Sequence, residues 1–129
     1  MDIEQITAAM YANARRIEAM VAGAPDAQAH WKPDATSWSI VEVINHLLDE
    51  EREDFRVRID YTLHRAGEAW PPIDPGGWVT ARRYNDRKLA ESLAAFLQER
   101  AESIAWLRAL SAPDWDATAV APWGDPFPA

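Results

Sequence analysis

His46 is the residue around which chemistry could be built. It closes the run Ser39-Ile-Val-Glu42-Val-Ile-Asn-His46. Ser39 and Glu42 have the spacing of a capping box, in which each side chain satisfies a backbone N–H left free by the first turn of a helix. The helix opened there carries His46 almost two turns in. At about 100° per residue, Glu42, Asp49, Glu50 and Glu53 fall within one quadrant of it. His46 and Glu50 stand at i and i+4, a spacing at which two side chains of one helix can reach a single ion. They are the candidate metal ligands. The same group also reads as a solvated acidic helix face, since it points away from the centre of the apolar stripe. Catalytic zinc usually takes three protein ligands, and this pair supplies two.

His30 lies in a loop beside Trp31, and His64 lies near a helix end, where a protonated imidazole suits the dipole. Both are expected at the surface rather than on a metal. A second constellation consists of polar residues inside apolar stripes. Arg100 sits at the angular centre of a stripe made by Leu93, Phe96, Leu97 and Ile104. Glu51 sits among Ile44, Leu47 and Phe55, and Asn13 sits on the apolar face of the first helix. An unpaired charge there is costly, so the spacing predicts a buried Glu51–Arg100 pair with Asn13 as a third member. The alternative is that Arg100 snorkels to solvent along its stem. Such a network would fix helix register or floor a ligand pocket. No residue is singled out as catalytic: there is no phosphate loop, dinucleotide glycine pattern or G-x-S-x-G elbow.

Three long amphipathic patterns must position these groups. The first runs from about Asp2 to Ala22 and is stopped by Gly23 and Pro25; the second runs from Ser39 to Ala66, ended by Gly67. The third starts near Asp86, read as its N-cap, and continues to about Leu110. The connection between the second and third holds Trp70-Pro71-Pro72 and Pro75-Gly76-Gly77-Trp78, with a short helix expected over Thr80 to Tyr84. Pro122, Pro126 and Pro128 exclude a long helix from the tail. No segment alternates as a strand does. Seven tryptophans are expected mainly as packing, with Trp31 and Trp38 holding their loop against the first two helices.

Composition narrows the function classes. With 129 residues one domain, 1–129, is expected, and 48% hydrophobic content suffices for a core. A net charge of −8, with basic residues interspersed among acids, argues against nucleic acid. No cysteine is present, so disulfides, thiolate metal ligands and a cysteine nucleophile are excluded. No apolar run approaches a membrane span, and a cytoplasmic protein is expected.

Trp31-x-Pro33, Trp38-Ser39-x-x-Glu42 and His46-Leu47, followed in order by the Asp86–Leu110 pattern, resemble the DinB/YfiT-like family of small helical bundles. The resemblance implies an all-α fold, a four-helix bundle of which three long helices are evident in this sequence. It implies a divalent metal (Zn, Ni, Fe or Mn), a small-molecule substrate, and thiol-dependent transfer or isomerisation, or hydrolysis. His46 would be the first ligand and Glu50 an auxiliary ligand or a base. The family pattern also carries an acid soon after the histidine and an arginine in the third helix, which Glu51 and Arg100 match. The family's C-terminal helix, with its His-x-x-x-His pair, has no counterpart before Ala129. The metal site is therefore expected to be incomplete. The alternative is a non-catalytic module that forms a homodimer through faces left open by that helix.

Overall fold

The computed structural model describes residues 1–124 and 126–129. Helix α1 (Ile3–Val21) begins where the Asp2 carboxylate accepts from the Gln5 N–H at 3.1 Å. A single turn, α2 (Asp26–Ala29), follows. Helix α3 (Ile40–Glu50) opens on the capping box: Ser39 Oγ accepts from the Glu42 N–H at 3.1 Å, and Glu42 Oε2 accepts from the Ser39 N–H at 3.1 Å. The long second helix is not continuous. A π-helical turn (Glu51–Phe55) separates α3 from α4 (Arg56–His64). The wider turn admits an extra residue and rotates everything beyond it. Phe55, placed in the apolar stripe by sequence periodicity, is consequently about half exposed, whereas Glu51 and Asp54 are buried.

In the long connection Asp74 caps α5 (Pro75–Ala81) and Pro75 occupies its first turn, where a missing N–H costs nothing. The short helix expected over Thr80 to Tyr84 is thus displaced, and a 3₁₀ turn (Tyr84–Asp86) follows it. Asp86 belongs to that turn rather than to a cap, so α6 (Leu89–Ala109) starts at Lys88 with no side-chain cap bond. Past Ala109 the chain forms a small antiparallel hairpin, β1 (Thr118–Val120) with β2 (Pro126–Pro128), in the register Thr118↔Pro128, Ala119↔Phe127, Val120↔Pro126. These strands are too short and proline-rich to show an alternating signature; proline is tolerated there because each strand has a free edge.

Helix α6 is the middle rod. Helices α1 and α3 both pack along it and make no comparable contact with each other. Val41, Ile44, Leu48, Leu89, Leu93 and Phe96 form most of the buried cluster, with Ala14 from α1. The fully covered line of α1 runs through Thr7 and Ala14, small residues that let α6 approach closely. Ile6 and Met20 are exposed, as is Asn13, which the sequence placed on the apolar face. Trp31 is 66% exposed and does not anchor its loop, while Trp38 packs on His46 of α3. The architecture is helical, with three long rods and the π turn setting which acids of the second rod face inward. No helix among the described residues is long and apolar enough to cross a membrane.

Candidate functional site

The acidic side of α3 is not a solvated face. Glu42, Asp49 and Glu50 are 4%, 0% and 7% exposed. The segment from α5 to the 3₁₀ turn folds over them and brings its own cations. Asp49 accepts from the Tyr84 hydroxyl, from Arg82 Nη1 at 2.7 Å, and pairs with Arg52 Nη2 at 2.9 Å. Arg82 also grips Glu53 and stacks over Trp78 at 4.0 Å. Burial, then the bond to Asp49, pushes the Tyr84 hydroxyl far above its ordinary pKa, so it stays a donor. Glu42, besides its capping role, accepts from Lys32 Nζ at 2.9 Å. Asp49 and Glu53 are therefore committed to holding the long connection onto the second rod, and Glu42 to holding the loop before α3.

Glu50 points along the π turn toward Asp54, which Arg58 clasps through two guanidinium nitrogens, Nη2 at 2.7 Å. Burial, a hydrogen bond shared with Asp54 and the Asp54 charge raise the Glu50 pKa from 4.5 to about 7. Glu50 therefore keeps its proton at mildly acidic pH. Arg58 lies under Trp123 and Phe127, with ring centroids 5.1 and 5.7 Å away, so the hairpin and Trp70 roof this acid pair.

His46 is set differently. Its ring packs on Trp38 with centroids 4.9 Å apart, its Nδ1 is buried without a hydrogen-bond partner, and burial lowers its pKa below 6.5. The nearby Asp49 charge opposes that shift, as a smaller effect. His46 is thus a neutral imidazole with an unused lone pair. His30 spends both ring nitrogens on the carbonyls of Asp26 and Arg87 at 2.9 and 2.8 Å, and those bonds raise its pKa. His64 Nδ1 is engaged by Asp60 at 2.9 Å.

Glu50 is engaged with Asp54, and among the described residues no cluster of three His, Asp or Glu side chains could hold an ion. The orphaned Nδ1 fits one ligand position, and the residues present do not fit a whole metal centre.

Glu51 and Arg100 do meet. Arg100 Nε lies 3.0 Å from Glu51 Oε1, with side chains 13% and 4% exposed, but off the line of a hydrogen bond. Arg100 Nη1 donates to the Met10 carbonyl at 3.1 Å and reaches Asn13 Oδ1 at 3.4 Å, so Asn13 joins from the rim. Sequence reasoning missed the second polar layer. Asn45, fully buried, donates to Ser92 Oγ at 2.8 Å and accepts from Arg87 Nη1 at 2.8 Å. Arg56 pairs with Glu99 at 2.9 Å beside Ser103. Asn45 and Ser92 carried a usable signal, as polar residues adjoining apolar stripe positions.

A sequence model of the DinB superfamily matches residues 9–129. Among solved structures, YfiT from Bacillus subtilis, described as a probable metal-dependent hydrolase with an unusual four-helix bundle topology, superposes with a TM-score of 0.82. The match is 17% identical and covers 98% of this chain and 72% of that one, a likeness of fold. No curated protein shows significant similarity.

Proposed function

The chain belongs to the DinB superfamily, and from that premise we propose that it works as a divalent-metal-dependent enzyme in which His46 supplies one ligand. The unpartnered, neutral imidazole of His46 carries this reading: a ring that is uncharged at neutral pH and whose Nδ1 makes no hydrogen bond keeps a nitrogen lone pair for a cation. The description of the B. subtilis relative as a probable metal-dependent hydrolase points the same way. A bound cation would supply Lewis acidity for hydrolysis or for activating a thiol. The further donors would come from a polypeptide segment seated beside α3. The test is calorimetric titration of Zn²⁺ and Ni²⁺ into the purified protein and its His46→Ala variant. One imidazole makes a weak site, so binding weaker than about 10 µM is expected, and lost in the variant. Binding indifferent to His46→Ala would refute the assignment.

A second reading is favoured by a separate observation, the open flank of α6. Between α1 and α4 it presents Met10, Phe55, Ile59 and Trp106. Under this reading the chain is a non-catalytic helical module that homodimerises through that flank. Light scattering on a size-exclusion column separates the two: a monomer at all concentrations rules out the module.

A further inference from the structure

On the side of α6 where α1 and α4 stand apart, a half-enclosed cavity of about 190 Å³ lies between α1, the π turn, α4 and α6. Its walls are apolar: Met10, Phe55, Ile59, Trp106 and Leu107. An apolar cavity of about 150 Å³ takes up benzene, so there is room here for a six-membered ring with a short substituent. The floor specifies that substituent. Arg100 and Glu51 neutralise each other, and Arg56 is held by Glu99, so the cavity offers no net charge and a charged ligand would bring one in unpaired. The ion pair nevertheless leaves hydrogen-bonding capacity unspent. Arg100 Nε is buried against its partner, but Arg100 Nη2 and Glu51 Oε2 make no hydrogen bond among the described residues. Side chains with a free donor and a free acceptor therefore line one apolar pocket.

We propose that this cavity is a binding site for a small, uncharged carboxamide on an aromatic or branched apolar body, its C=O accepting from the Arg100 guanidinium and its N–H donating to the Glu51 carboxylate. Amides present that donor–acceptor pair at the right spacing without a charge to desolvate. His46 does not line the cavity, and the site stands independently of the metal.

Benzamide is the probe, titrated into the full chain by calorimetry and NMR, with benzoate as the charged control and toluene as the control that cannot hydrogen-bond. Saturable benzamide binding is expected, about tenfold tighter than either control. The double variant Glu51→Leu/Arg100→Met removes both polar partners together, leaving no buried charge unpaired; it is expected to bind benzamide and toluene alike. Ile59→Trp fills the cavity without touching the ion pair and is expected to abolish binding of all three. Absence of saturable benzamide binding, equal affinity for benzamide and toluene in the wild-type protein, or unchanged binding in Ile59→Trp overturns the proposal. Should either variant fail to fold, the wild-type NMR titration decides: shifts at the Arg100 Nε–H and Trp106 indole signals support the site, and their absence sinks it.

Discussion

Replacing Glu50 with glutamine is expected to stabilise this protein at pH 8 and to leave it nearly unchanged at pH 5. The side chain is 7% exposed, faces Asp54 and has a pKa raised from 4.5 to about 7. An acid whose pKa is higher in the folded state binds its proton more tightly there than in the unfolded chain. Its contribution to stability is therefore complete below about pH 4.5 and is lost as pH rises through about 7. The difference of about 2.5 between folded and ordinary values corresponds to about 3 kcal/mol at 1.36 kcal/mol per unit. The π turn can relax around the ionised carboxylate, so a change of about 1–2 kcal/mol is the working expectation. Glutamine mimics the protonated acid, keeps a donor for Asp54 and never ionises. Urea unfolding of wild type and Glu50→Gln at pH 5, 6, 7 and 8 measures the effect. The stabilisation by glutamine should grow along that series. A pH-independent difference, or a variant less stable than wild type at pH 8, would show that the fold does not raise the Glu50 pKa.

Two further substitutions probe the polar interior. Arg100→Met alone leaves Glu51 buried without its cation and is expected to cost about 3–5 kcal/mol, whereas adding Glu51→Leu should recover most of that; denaturant midpoints of the single and double variants give the answer, and equal losses would dissolve the pair. Tyr84→Phe removes a buried donor to the Asp49 carboxylate and is expected to lower stability by about 1.5–3 kcal/mol, read by thermal and urea unfolding, with a loss under 0.5 kcal/mol refuting the account.

Much of the fold was legible in the order of residues because its signals are local. Ser39 and Glu42 close a capping box whose partners are three residues apart, and Gly23 with Pro25 ends α1 wherever the helix packs. The Glu51–Arg100 contact was also readable, since a charge at the centre of an apolar stripe has few places to go. The Trp31-to-Leu47 elements named the family that the wider match supports. What the sequence could not decide was anything set by a partner distant along the chain. The π turn shifts the register by a residue, which periodicity assumes constant, and so moves Phe55 outward and Asp54 inward. Asp49 looked solvated on its own helix; only the return of Arg82 and Tyr84 from the long connection buries it. Glu50 was offered as a ligand beside His46 from a spacing alone; its neighbour Asp54, held by Arg58, became visible only in the fold. Local bonding rules travel with the sequence, whereas desolvation and charge pairing depend on which surfaces meet, and that is fixed only when the rods pack.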